Sequence, residues 1–198
     1  MEVGCGIGTD LIQYAKVGSI CTGIDLTENA INITKKRFKL YNLKADLRVA
    51  DAESLPFRDN AFDLVFSFGV LHHTHNTKKA INEIYRVLKP GGKAIVMLYA
   101  KGIAYYSTLF YFGVLRGELL NTSKQAVIDK HSEYHGNSPL TKIYSRKKIE
   151  KLFEIFEVVR IDRYTDIFMR YRPRFLAYGL GKVIGGHFII KATKSDIR

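Results

Sequence analysis

The order of apolar and polar positions divides the first hundred residues into short apolar runs and longer amphipathic stretches. Residues 19–25 are short, apolar and end in an acid, which predicts a strand. Residues 27–41 predict a helix with Thr27 as its N-cap. Residues 46–50 alternate as a strand does, and Phe62–Phe68 (FDLVFSF) is a strongly apolar one. Asn76 or Thr77 caps the next helix, whose Ile81, Ile84, Tyr85 and Leu88 recur at helical spacing and form one apolar stripe. Pro90-Gly91-Gly92 stops that helix, and residues 93–99 (KAIVMLY) read as a buried strand. Strand–helix alternation predicts a parallel sheet covered by helices on both faces.

The second half reads differently. Residues 103–120 are apolar and aromatic, with Tyr105, Tyr106, Phe110, Tyr111 and Phe112 among them. The stretch 105–115 reads first as a core-packed helix; a lid over an apolar acceptor or a ridge on a membrane surface are the alternatives. Residues 125–130 predict a polar helix. Ser145 caps another, with Ile149, Leu152, Phe153 and Phe156 as its stripe. Residues 156–161 and 187–192 predict a final antiparallel pair of strands. An Arg/Tyr-rich connection with Gly179, Gly181, Gly185 and Gly186 joins them.

The 198 residues suit one domain, and 46% hydrophobic with 25% charged residues is globular composition, not disorder. The two cysteines, Cys5 and Cys21, are too few for a disulfide scaffold and point to a cytoplasmic protein. The uncharged run between Lys101 and Arg116 is shorter than the roughly 20 residues that cross a bilayer. Net charge is +12 and uneven: residues 1–100 carry 13 Lys/Arg against 10 Asp/Glu, and residues 101–198 carry 18 against 9. The basic half suits an anionic partner or a solvated basic face equally well.

The sharpest chemical signal is Glu2-Val3-Gly4-Cys5-Gly6-Ile7-Gly8-Thr9-Asp10. Glycines at every second position between a strand and a helix make a tight turn that a ligand can approach closely. A turn with no ligand explains those glycines equally well, and Thr9 stands where the dinucleotide pattern has its third glycine. Asp25 ends the second strand, where a carboxylate accepts hydrogen bonds from both ribose hydroxyls and repels a 2′-phosphate. Asp51, in Ala50-Asp51-Ala52-Glu53, ends the third strand and can accept from an adenine amine. Each acid alone reads as a cap or a surface charge. Together with the loop after Phe68 they line the crevice where open α/β sheets bind ligands.

The ordered segments EVGCGIGTD, GIDLTENAI, ADAESLPFRDNAFDLVFSFGVLHHT and YRVLKPGGKAIV resemble the class I S-adenosylmethionine-dependent methyltransferases, most closely the small-molecule type 11 branch. The resemblance covers residues 1 to about 100 and implies S-adenosylmethionine as cofactor, with S-adenosylhomocysteine as product. It implies an α/β, Rossmann-like three-layer sandwich with a mostly parallel seven-stranded sheet in the order 3-2-1-4-5-7-6, strand 7 antiparallel. It places Glu2, Gly4, Cys5, Gly6 and Gly8 around the methionine moiety, Asp25 on the ribose, Leu26 on the adenine, and Asp51, Ala52 and Glu53 at the adenine edge. Ser67, Phe68 and Val70 would border the methionine and the reactive methyl. Family members have a fuller first strand and upstream helices. Only Met1, Glu2 and Val3 precede Gly4 here, so the expectation is a truncated first strand and weak cofactor affinity.

The implied reaction moves a methyl group to an O or N atom of a small acceptor, lipid-like or anionic. The chain then forms one domain, a cofactor half (1–100) and an acceptor half (101–198). His73 and then His72 are the candidate general bases, since histidine titrates near neutrality. Each is otherwise a packed or capping loop histidine. His75, His131, His135 and His187 are expected to be structural or exposed. No zinc spacing is present, and no metal is expected. Cys5 lacks a paired base and is not expected to act as a nucleophile. Arg160, Arg163, Arg170, Arg172 and Arg174 interleave with Tyr164, Phe168, Tyr171 and Phe175, a pattern suited to lipid headgroups at a membrane periphery or, second, to RNA. The competing classes are a cofactor-binding protein without catalysis, an RNA methyltransferase and a nucleotide-dependent oxidoreductase.

Overall fold

The shortest strand holds the centre of the sheet in the computed structural model, which describes residues 1–131, 140–164 and 186–196. β1 (Glu2–Val3) pairs in parallel with β2 (Cys21–Asp25) on one side and β4 (Phe62–Phe68) on the other. β3 (Ala45–Val49) continues outward from β2, and β5 (Leu88–Tyr99) from β4. β7 (His187–Thr193) runs antiparallel between β5 and β6 (Val158–Tyr164). The order is β3-β2-β1-β4-β5-β7-β6, as the resemblance implies.

The connections are α1 (Thr9–Lys16), α2 (Glu28–Leu40), α3 (Thr77–Val87), α4 (Ile103–Thr108), α5 (Lys124–His131) and α6 (Arg146–Leu152). Three predicted caps are in place. Thr27, Asn76 and Ser145 accept from the amides of Ala30, Lys79 and Lys148, satisfying N–H groups that a first helical turn leaves bare. Two clusters of buried side chains flank the sheet. One joins Leu11, Ile12, Ile31 and Phe38 with Cys21; the other joins Ile81, Ile84, Ile149 and Phe153 with Ile24. Cys21 and Ile24 stand at opposite parities of one strand, so the clusters cover opposite faces.

Two expectations need correction. Leu88 leaves the helix and opens β5, and Pro90-Gly91-Gly92 lies within that strand. Pairing with β4 slips there, from Phe62↔Leu88 to Leu64↔Lys93. A proline without an N–H is tolerated at such an irregularity. The aromatic stretch is also not core-packed. α4 runs into a π-helical segment, Leu109–Leu115, and Gly113 is the buried residue among the described ones there. Ile103, Tyr106, Phe110, Tyr111, Val114 and Leu115 are each at least half exposed. A helical stripe is buried only where an element covers it; α5 packs against this stretch with Val127 and Ile128 buried but leaves those six side chains uncovered. Residues 170–175 of the Arg/aromatic segment, with Phe168, and Gly179, Gly181, Gly185 and His135 lie outside the described residues.

Candidate functional site

The turn from β1 to α1 is held from below by β2. The amides of Gly4 and Cys5 both donate to the carbonyl of Ile24 at 2.8 Å. Gly4 has φ +74°, and a Cβ there would lie 2.2 Å from Cγ2 of Val70. The loop after β4 therefore rests on the turn, and only glycine fits. A Cβ at Gly6 would meet nothing within 4 Å. The top of the turn faces open space.

Asp25 at the end of β2 fixes that backbone. Its Oδ2 accepts from the amide of Gly6 at 2.9 Å, and its Oδ1 from the amide and hydroxyl of Thr27 at 2.9 and 2.8 Å. α2 adds a second clamp. The Thr34 hydroxyl donates to the Gly6 carbonyl at 2.8 Å, and the Arg37 guanidinium donates to the Ile7 carbonyl and the Thr9 hydroxyl. Sequence reasoning missed Thr34 and Arg37. The usable signal was their place, about two and three turns into the helix that Thr27 caps.

Asp51 is exposed just past β3, with Oδ1 accepting from the Glu53 amide at 2.8 Å. Ala52 is buried beside it. Glu53 has a structural partner: its Oε1 accepts from the Asn76 amide at 2.7 Å, tying this loop to the start of α3. Leu26 and Phe68 stand exposed past β2 and at the end of β4. Ser67 turns inward, and its hydroxyl donates to the Val3 carbonyl at 3.0 Å. It holds β4 to β1, with its side chain away from the rim. Because β1 to β4 are parallel, Asp25, Asp51, Phe68, Val70 and the glycine turn share one edge of the sheet.

Glu2 is buried beneath this edge, and its Oε2 has no hydrogen-bond partner. Burial first, and then Asp10, raise its pKa to about 8. Cys5 is also buried, and burial with the nearby Glu2 pushes its thiol up to about 12, so it stays protonated and is no nucleophile.

The two histidines after β4 differ sharply. His72 is fully buried, neither ring nitrogen has a partner, and the ring stacks on Tyr99 at 3.9 Å. Burial, with His73 and His187 nearby, lowers its pKa to about 3. His73 is half-buried, and its Nδ1 lies 2.7 Å from the Leu140 carbonyl. A carbonyl only accepts, so Nδ1 carries the proton and Nε2 the lone pair. Among the others, His131 pairs with Glu118 at 3.0 Å and stacks on Phe112.

S-adenosylmethionine fits this set on the chain's own chemistry. The open Gly6 turn leaves room for backbone contact, and Asp25 and Asp51 present acceptors at successive strand ends. Leu26 and Phe68 offer apolar surface for a planar base. Asp10 and Asp25 make the region negative, and a cationic ligand beside the orphaned Glu2 carboxyl would favour release of its proton.

Residues 1–96 match the family described as "Methyltransferase domain". The chain is 35% identical over 98 residues to a sterol 4-C-methyltransferase of Caenorhabditis elegans, covering 48% of this chain and 29% of that protein. It is 36% identical over 112 residues to phosphoethanolamine N-methyltransferase 2 of the same organism, covering 56% of this chain and 26% of that one. The chain spans less than a third of the length of these two relatives. Among solved structures, an S-adenosylmethionine-dependent methyltransferase of Methanosarcina mazei superposes with a TM-score of 0.65 at 20% identity, covering 98% of this chain and 91% of that one. Sequence, sheet order and glycine turn agree: residues 1–96 match a methyltransferase domain, and the sheet carries the fold of a solved S-adenosylmethionine-dependent methyltransferase.

Proposed function

We propose that this chain transfers a methyl group from S-adenosylmethionine to an O or N atom of a small acceptor, with residues 1–100 gripping the cofactor and residues 101–198 shaping the acceptor side. The observation that carries this reading is Asp25. One carboxylate both pins the Gly6 amide and stands at the strand end where ribose hydroxyls would donate. Relatives named for phosphoethanolamine, sterol and demethylmenaquinone support a small-molecule acceptor.

The bound sulfonium supplies the activated methyl group, and the protein supplies position and surroundings. Gly4, Gly6 and Gly8 hold the turn open; Asp25 and Asp51 would hold the nucleoside and Glu2 the cationic amino-acid arm. His73 takes the acceptor's proton at Nε2, because its tautomer is set by Leu140. His72 does not, since it is sealed from solvent and takes up a second proton only below about pH 3. Bringing acceptor and methyl carbon into line contributes roughly 7–11 kcal/mol through proximity.

Incubation with S-adenosylmethionine labelled in the methyl group and a metabolite extract tests this. A single labelled small molecule, lost in His73→Asn, is expected. Cofactor binding without any label transfer would leave a binding protein and overturn the catalytic reading.

A further inference from the structure

We infer that the exposed ridge Ile103–Leu115 and the lysine-lined cavity beside it dock on an anionic phospholipid membrane, with the cavity receiving a headgroup phosphate. Two observations converge. The first is the ridge. Tyr106, Phe110 and Val114 recur at helical spacing with their side chains at least half exposed, and Ile103, Tyr111 and Leu115 widen the same surface. Soluble chains rarely leave so many large apolar side chains in water along one segment. No acidic residue occurs between Lys101 and Arg116, so nothing on the segment opposes a negative surface. No described helix is long and apolar enough to cross a membrane. That matches an element lying in the interface plane, where tyrosines place an apolar body against lipid and a hydroxyl in water.

The second is a cavity of about 230 Å³ whose lining includes Lys101, Lys124, Lys148, Gln125 and Thr141; the carboxylate against that lining, Asp129, is held by the Gln125 amide and the Thr141 N–H. Among the described residues none of these three lysines forms an ion pair. Three lysines around one opening give it a positive potential that suits an anion. The cavity adjoins the ridge. Tyr105 lines it, Lys101 Nζ lies 5.8 Å from the Tyr105 ring, and that ring meets Tyr106 of the ridge with centroids 5.0 Å apart. Apolar insertion and phosphate capture are thus available side by side. A phospholipid surface supplies both, whereas free phosphate supplies only the second and an apolar protein face only the first. Docking stands independently of methyl transfer, and a chain unable to bind cofactor would still bind vesicles.

The chain has no tryptophan, so Phe110→Trp introduces a single fluorescent reporter. With vesicles of phosphatidylcholine plus about 30% phosphatidylserine, its emission is expected to shift to the blue and the protein to co-sediment. Pure phosphatidylcholine is expected to bind at least about tenfold more weakly. Tyr106→Ser with Phe110→Ser is expected to abolish sedimentation with either vesicle. Lys101→Glu with Lys124→Glu is expected to erase only the preference for the anionic one. All these side chains are exposed or line an opening, and circular dichroism confirms that each variant is folded. Failure to sediment with anionic vesicles overturns the inference, as does sedimentation that neither double variant alters. A concentration-dependent dimer lost in the Tyr106/Phe110 variant, without vesicle binding, would give the ridge to a second copy of the chain. Salt-sensitive binding of mixed RNA without vesicle binding would give the lysines to nucleic acid.

Discussion

Glu2→Gln separates what Glu2 costs the fold from what it gives the ligand. The carboxyl is 5% exposed and one of its oxygens has no partner. Burial, followed by the neighbouring Asp10, raises its pKa from 4.5 to about 8. The folded protein therefore keeps a proton that the unfolded chain releases. The stability tied to this group is complete below about pH 4.5, falls as pH rises, and reaches its floor above about pH 8. At pH 7 the unfolded chain sits about 2.5 units above the ordinary pKa, and at ~1.4 kcal/mol per unit the ceiling on the loss is about 3 kcal/mol. Gln keeps the shape and cannot ionise. The variant is expected to be more stable than the parent at pH 7.5 by about 1–3 kcal/mol, which for a chain of this size raises Tm by several degrees. The two should converge near pH 5. Adding S-adenosylmethionine reverses the ranking, because the parent gains an ion pair that Gln cannot form. Thermal unfolding followed by circular dichroism from pH 5 to 8.5, with and without cofactor, reads both effects. A variant no more stable than the parent at pH 7.5, or a parent whose stability is flat across this range, refutes the reasoning.

Four further outcomes are expected. Asp25→Asn removes the charge that binds Gly6 and Thr27 and is expected to weaken S-adenosylmethionine binding by about ten- to hundredfold in isothermal titration. Gly4→Ala forces a Cβ into Val70 at a positive φ and is expected to cost about 2–4 kcal/mol in urea unfolding. Val70→Ala in the same chain should recover only part of that, because the Val70 Cβ would still lie 2.8 Å away and the positive φ remains. His72→Phe replaces a stacked ring whose nitrogens have no partner and is expected to leave stability equal or higher. His73→Asn is expected to lower the single-turnover rate at least about hundredfold while cofactor affinity holds; equal effects of the two substitutions would contradict the assignment of the base.

The elements whose cause is local were readable from the sequence. Thr27, Asn76 and Ser145 announce helix starts because each cap bonds an amide three residues on. FDLVFSF is legible as a strand because its run of apolar residues is short and bounded by polar ones. The Gly4–Gly8 turn is legible because backbone geometry demands glycine there. What escaped depends on distant partners. Leu88 fits the helical stripe, yet pairing with Phe62 draws it into β5. The tie from Glu53 to the Asn76 amide, 23 residues away, has no sequence signal. The ridge at Ile103–Leu115 has the composition of a core helix, and nothing along the chain says whether another element covers it. The lysine cavity draws on three separate segments and has no linear signature. The difference between His72 and His73 depends on one side chain being sealed against Tyr99 and the other meeting Leu140.

The central claim is that the glycine turn and the two strand-end acids grip one adenosyl ligand. An amide chemical-shift map of the labelled chain titrated with S-adenosylhomocysteine tests it most directly. The expected result is saturable shifts at Gly4, Gly6, Gly8, Leu26, Ala52 and Val70, abolished when Asp25 and Asp51 are both changed to Asn. Shifts centred on any other part of the sheet, or an unaltered map in the doubly changed chain, would contradict it.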